Sequence, residues 1–223
     1  YIPKFESTNS DWANWYLTED PTVACEFVSV PLSIRSIGQA LDELYDNLDV
    51  EGGLEVGNHI HASKSGIKDY ELLGALLSYL YNELDLISCR KKSDNRGYCK
   101  QGTHSTFFNV RRSIKNAIEV LPHEMYPFYR TDTSTNHTVE LRCFGTVNDK
   151  TVAFERVLLF KMIIDASNKL SNYLGASLKD IYYHDCSTLK MIEDDDLFLK
   201  FLKDEGVFEK INEIHELILD IIK

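Results

Sequence analysis

The sequence predicts an α+β fold in which helices pack on one face of an antiparallel sheet, and two observations predict it. Short stretches centred on His59 and Glu140 alternate polar and apolar residues with a period of two, the pattern of half-buried strands. Longer stretches around Leu73, Leu159 and Ile214 place apolar residues at i, i+3, i+4 and i+7, the stripe of helices lying on a core. Strands and helices intermixed in this way belong to a domain that covers a sheet with helices.

The elements follow in order. The first twenty residues show no sustained period, and Glu19-Asp20 reads as a turn. Thr22 to Val30 is rich in β-formers and reads as a strand closed by Pro31. Ser33 then caps a helix with apolar positions Ile34, Ile37, Leu41, Leu44 and Leu48, ended by Gly52-Gly53. Leu54 to Ser63 has strand character, and Gly66 marks the turn into a helix striped by Tyr70, Leu73, Leu76, Leu77, Leu80, Leu84 and Ile87. A polar, basic loop from Cys89 to Thr103 leads to a helix carrying Phe107, Val110, Ile114 and Ile118, stopped near Pro122. Tyr126–Thr131 and His137–Phe144 read as strands, and the turn Gly145–Lys150 precedes a long helix over Thr151–Leu174. The tail differs in composition: Glu193 to Asp196 suits the first turn of a helix, where the dipole favours negative charge, and Val207, Ile211, Ile214, Leu217, Ile218 and Ile221 form a further stripe. Residues 1–185 are therefore expected as an α+β domain and 186–223 as a helical extension packed on it.

Composition narrows the function classes. With 223 residues, 43% of them hydrophobic, the chain has material for a substantial core. A formal charge of -11 argues against nucleic acid as a partner, because such binders gather cations over a broad face. Apolar runs such as Val157-Leu158-Leu159-Phe160 fall far short of the roughly 20 residues that cross a bilayer, so no membrane partner is expected. Five cysteines, odd in number and without a CxxC pair, fit neither a disulfide framework nor a zinc knuckle and point to a reducing, cytoplasmic setting. The start at Tyr1 suggests a fragment or a processed form.

Three strands carry ionisable groups that a core strand would not need. In Asn58-His59-Ile60-His61-Ala62-Ser63 the alternation sends His59, His61 and Ser63 to one face and Ile60 and Ala62 to the other. In Thr138-Val139-Glu140-Leu141-Arg142-Cys143 it groups Thr138, Glu140 and Arg142 against Val139, Leu141 and Cys143. Glu26 stands alone among the apolar residues of Ala24 to Val28. Periodicity leaves two interpretations open: solvated sheet faces with cross-strand ion pairs, or a shared surface offering carboxylates to a divalent cation and guanidinium groups to phosphate.

At these residues the chain resembles a known family. Gly57-Asn58-His59-Ile60-His61-Ala62-Ser63 is similar to the segment of glutamine synthetase-like carboxylate-amine ligases in which a glycine-led approach reaches His-x-His-x-Ser, and Val139-Glu140-Leu141-Arg142 to their later Glu-x-Arg strand. Cys25-Glu26-Phe27-Val28-Ser29-Val30-Pro31-Leu32 resembles the Glu-to-Pro segment of the amidoligases, a branch frequent in phages and bacteria. Phe144-Gly145-Thr146, Asn148 and the long helix after them extend the resemblance over about Trp15 to Leu174.

The resemblance implies a glutamine synthetase-like antiparallel sheet and an enzyme that uses ATP and Mg²⁺ to join a carboxylate to an amine through an acyl phosphate. It implies His59, Glu26 and Glu140 as metal ligands, His61 and Ser63 as ATP contacts, and Arg142 and Arg130 at the transferring phosphate. Arg96, in the basic loop with Arg90 and Tyr98, would reach nucleotide or substrate. Partners would be small-molecule or peptide acids and amines, in the host cytoplasm for a phage-encoded enzyme, with an oligomer or virion partner for a catalytically degenerate member. The family's early Glu-x-Glu strand is missing, since Glu6 stands alone in Lys4 to Ser7. A His-x-His zinc hydrolase is a third expectation; it needs further ligands and a general base.

Overall fold

The architecture comes from a computed structural model, which describes residues 14–20, 23–48, 53–89, 129–133, 138–175 and 195–222. The helix expected over Phe107 to Ile118, and Arg90, Arg96 and Tyr98 of the basic loop, lie outside the described residues. Helices and antiparallel strands are both present, so the fold is α+β.

Strands β1 (Trp15–Asp20) and β2 (Val23–Ser29) pair antiparallel, with Trp15 opposite Ser29 and Thr18 opposite Glu26. β1 corrects the expectation that Glu19-Asp20 is a turn and forms where the sequence shows no sustained period. Trp15, Tyr16 and Thr18 are strong β-formers, and the strand runs on through both acidic residues to Asp20. Helix α1 (Ile34–Asn47) begins as expected at Ser33, whose Oγ accepts the Ser36 N–H at 3.3 Å. It ends at Leu48 rather than at the glycine pair. Trp15 Nε1 donates to the Ala40 carbonyl at 2.7 Å and Asn14 Nδ2 to Glu43 Oε2 at 2.7 Å, strapping the start of β1 to α1.

A second sheet contains β3 (Gly53–Ser63), β4 (Tyr129–Thr133) and β5 (Thr138–Thr146), in the order β3-β5-β4 with both pairs antiparallel. Val139 and Leu141 are fully buried, as the alternation requires, but so is Phe144, which has the opposite parity. The cause is a bulge. Ile60 pairs with Leu141 and Asn58 with Phe144, so Arg142 and Cys143 together face one β3 residue, His59.

The apolar stripe after Gly66 forms two helices instead of one, α2 (Tyr70–Tyr79) and α3 (Tyr81–Leu86). Backbone bonds from Leu80 to Leu76 and from Leu84 to Leu80 carry the turn across the break, and Leu73, Leu76, Leu77, Leu80, Leu84 and Ile87 all remain fully buried. Helix α4 (Lys150–Leu174) is capped at one end by Asp149 Oδ1, which accepts the Val152 N–H at 2.9 Å. Gly175 closes the other end at φ +69°, a conformation that favours glycine. Helices α5 (Asp195–Asp204) and α6 (Val207–Ile222) follow.

One hydrophobic cluster joins these layers. It holds Leu72, Leu73, Leu76 and Leu77 of α2, Leu80 and Leu84 after them, Val139, Leu141 and Phe144 of β5, and Leu159, Phe160 and Ile163 of α4. Leu202 of α5 and Val207, Ile211, Ile214 and Ile218 of α6 belong to the same cluster. At about 1.5–3 kcal/mol per fully buried aliphatic side chain, such a set is the main term holding the sheet's inner face to the helices. Arg156 of α4 is fully buried within the structure: its Nη1 donates to the Gly145 carbonyl at 2.8 Å and its Nη2 to the Ile87 carbonyl at 2.6 Å, while the guanidinium carbon lies 4.7 Å from the centre of the Phe144 ring. Among the described residues no helix is long and apolar enough to cross a membrane.

Candidate functional site

The outer face of the β3–β5 pair is where the ionisable residues meet. Alternation along β5 puts Glu140 on this face, and the register sets His61 of β3 directly across from it. On the other side of β5 the register sets Arg130 of β4 across from the same residue. His61, Glu140 and Arg130 thus occupy one row across three adjacent strands.

Side chains draw in around the Glu140 carboxylate, which is only 7% exposed. His59 Nδ1 lies 3.0 Å from Glu140 Oε1, Arg142 Nε 3.4 Å and His61 Nε2 3.8 Å. All three contacts fall on the same oxygen; Oε2 takes no part in them. The bulge is what permits this crowding, because it gives β5 an extra residue opposite His59 and so re-aims Arg142 within the ladder. His61 is held from its other nitrogen, Nδ1, by Thr138 Oγ1 at 3.1 Å.

Electrostatics give each group a definite state. Burial works to raise the Glu140 pKa, but the His59 hydrogen bond and the charge of Arg142, with smaller contributions from the imidazole charges, outweigh it and hold the carboxyl below its ordinary value. Glu140 is therefore ionised across the neutral range, which suits a ligand or fixed charge and not a proton shuttle. His61 is pushed below its ordinary 6.5, chiefly by burial, with the neighbouring charges of Glu140 and Glu26 opposing the shift and those of His59 and Arg142 adding to it. Glu26, though it belongs to the other sheet, is thus close enough for its charge to act on His61.

Of the expected site residues, the structure brings together His59, His61, Glu140 and Arg142, with Glu26 within electrostatic reach. Arg130 shares their row by register; its side chain lies outside what is described. Ser63 is engaged locally, its Oγ accepting the Ser65 N–H at 3.3 Å and capping the short turn over Lys64–Gly66. Arg96 lies outside the described residues. Alternation places Thr138 on this face, but that its hydroxyl meets His61 depends on register and not on pattern.

Fit to a magnesium ion turns on donor chemistry. Among the described residues no group of three or more His, Cys, Asp or Glu side chains is placed to hold a metal. A zinc hydrolase, which needs three protein ligands, finds no such set there. Magnesium is less demanding: it is commonly held by one or two carboxylates, with phosphate oxygens and waters completing the shell. Glu140 offers one such carboxylate, its Oε2 outside the three contacts named above, whereas His59 is a nitrogen donor already on Oε1 and Glu26 is not grouped with the two as a metal-holding set. Against known protein families, curated proteins and solved structures, the chain shows no match.

Proposed function

We propose that the chain is an ATP- and magnesium-dependent ligase that joins a carboxylate to an amine, with the Glu140 cluster as its phosphate-transfer site on a glutamine synthetase-like sheet. The observation that carries this reading is the convergence of His59, His61 and Arg142 on one ionised carboxylate, with Arg130 in the same row. These are the residues that the resemblance to amidoligases singles out, drawn from motifs some eighty residues apart in the chain.

In this reading the Glu140 carboxylate would meet the cation and His59 and Glu26 would have to draw toward it to complete the set; the cation when bound would withdraw charge from the phosphate oxygens. Arg142 and Arg130 flank the phosphate being transferred, where a planar guanidinium can offer two N–H donors to two oxygens. His61, neutral at pH 7, and the segment through Ser63 border the nucleotide, with Arg96 reaching over from its loop. The substrate carboxylate attacks the terminal phosphate to give an acyl phosphate, and the amine then displaces phosphate to leave an amide. Positioning and charge neutralisation are what these residues contribute to such a transfer. The substrates are a small-molecule or peptide acid and amine, and the site of action is the cytoplasm, or the host's cytoplasm for a phage-encoded chain.

One observation favours a second reading. Glu140 is already neutralised by its own neighbours, as in an ion-pair network that serves the sheet alone, so a degenerate amidoligase-fold protein acting as a binding or structural component, in a virion for example, is the alternative. Calorimetric titration with a non-hydrolysable ATP analogue and Mg²⁺ separates the two. The ligase reading expects saturable binding that requires Mg²⁺ and is lost in His59→Ala and Glu140→Ala, together with Mg²⁺-dependent phosphate release from ATP. Absence of binding by the parent chain, with both variants still folded, would establish the structural alternative.

A further inference from the structure

We propose that Arg156 is a positioning residue for the Glu140 site: by gripping the Gly145 and Ile87 carbonyls from inside the core, it locks the β5 bulge opposite His59 and so holds Arg142 against the carboxylate. The inference deepens the reading above, in that it rests on the Glu140 cluster being the working face, but its test reads strand register and needs no nucleotide.

The register shows why a lock is needed. Between the pairs Ile60 with Leu141 and Gly57 with Gly145, β3 has two intervening residues, His59 and Asn58, while β5 has three, Arg142, Cys143 and Phe144. Beyond Gly57 the imbalance is reversed. The next pair is Gly53 with Thr146, so Leu54, Glu55 and Val56 of β3 stand opposite no β5 residue. Sliding β5 by one residue, to set Phe144 against Gly57, would remove the bulge and lessen the second irregularity as well. A ladder left to itself would take that more regular pairing.

What opposes the slide is concentrated at Gly145. The described register of β4 with β5 stops at Leu141, and past it both polar backbone groups of Gly145 are taken up from elsewhere. Its N–H donates to the Ser88 carbonyl at 2.7 Å, and its carbonyl accepts from Arg156 Nη1 at 2.8 Å. The other arm of the guanidinium, Nη2, donates to the Ile87 carbonyl at 2.6 Å. One side chain thus fastens β5 to the end of α3 at the residue where the bulge closes. Phe144, which faces inward only in the bulged register, has its ring centre 4.7 Å from the same guanidinium carbon.

The choice of residue supports a register role. Arg156 is fully buried, and among the described residues no carboxylate is paired with it. Burying a cation on such terms is costly, and a leucine or methionine would fill the volume without that penalty. A planar guanidinium alone offers two donors in a fixed fork together with a face for a ring. Packing does not call for these properties, whereas holding two carbonyls at a set separation does.

The test is NMR on the isotope-labelled full chain. Gly145 turns its polar groups away from β3, so its Hα faces that of Gly57, and the parent should show an NOE between them as well as contacts from the Arg142 side chain to Glu140. Arg156→Lys keeps the charge but cannot reach both carbonyls at once. It is expected to lose the Gly57–Gly145 NOE, to gain cross-strand NOEs from Gly57 to Phe144 and from Asn58 to Cys143, and to lose the Arg142–Glu140 contacts. Phe144→Leu, which leaves both carbonyl bonds in place, and Ile214→Ala, which destabilises the core elsewhere, should keep the parent pattern. An Arg156→Lys chain that is less stable yet retains the parent NOEs would reduce Arg156 to packing and overturn the proposal; so would loss of the register in Phe144→Leu, which would give the role to the ring. If Arg156→Lys does not fold, native-state hydrogen exchange of the unsubstituted chain decides. A Gly145 N–H that exchanges as slowly as those of Val139 and Leu141 supports the lock, and one that exchanges far faster, by fraying of the strand end, overturns it.

Discussion

Glu140 is the residue on which the site is most sensitive to a single change. Replacing it with Ala leaves His59, His61 and Arg142 turned toward a missing charge, and loss of its charge-assisted hydrogen bond is expected to cost about 1.5–3 kcal/mol in urea unfolding. Glu140→Gln, which keeps the shape, should cost less. Acid should act in the same direction through two residues. Glu140 has its folded pKa depressed, so its contribution is complete above the ordinary carboxylate range and is lost as pH falls through the depressed value. His61 is also depressed, so the folded state resists its protonation and loses stability as pH falls below 6.5. Urea midpoints should therefore decline from neutral pH downward, with His61→Asn flattening the upper part of the decline and Glu140→Gln the lower. His59, His61, Glu140 and Arg142 were legible in the sequence because alternation exposes polar residues within strands. Arg156 was not, because an arginine following Glu155 on a long helix looks like surface, and only the tertiary placement of the Ile87 and Gly145 carbonyls takes it inside.

Single elements rest on their ends as well as on their apolar faces. For α4 the cap is Asp149, and Asp149→Ala should lower stability by about 1 kcal/mol by thermal or urea denaturation, since it orphans the Val152 N–H. Gly175→Ala should cost about 1–2 kcal/mol at the other end, where the backbone is left-handed and a Cβ is strained even though the space around it is open. A result near zero at Gly175 would mean that the end of α4 rearranges. Caps of this kind are local, which is why Ser33 and the extent of α4 could be read from the sequence to within a residue or so. β1 was missed for the converse reason: its apolar and polar residues do not alternate, and what makes it a strand is its pairing with β2. Nothing in the sequence accounts for the interruption at Leu80 between α2 and α3.

Across the whole molecule the buried residues form one cluster, with consequences for the tail. The tail differs in composition, and within it Leu202, Val207, Ile211, Ile214 and Ile218 lie in the same cluster as the strands and α4, while Lys210 of α6 reaches Glu155 of α4 at 2.9 Å. Ile214→Ala is accordingly expected to cost about 2–5 kcal/mol and to lower one cooperative transition, not to melt a tail separately; two resolved transitions in calorimetry would contradict this. Composition reports solvent exposure segment by segment and is blind to which strands meet, so the order β3-β5-β4 was not visible before the structure. The bulge in β5 shows the same limit at smaller scale. Val139, Leu141 and Phe144 would stand on one unbroken inward row if the strand were a residue shorter, so excising Cys143 should give a straighter ladder that keeps its aliphatic filling. What such a chain would forfeit is the sideways step at His59. That step depends on backbone length and not on which side chain sits in it, and substitutions at Cys143 itself would never register it.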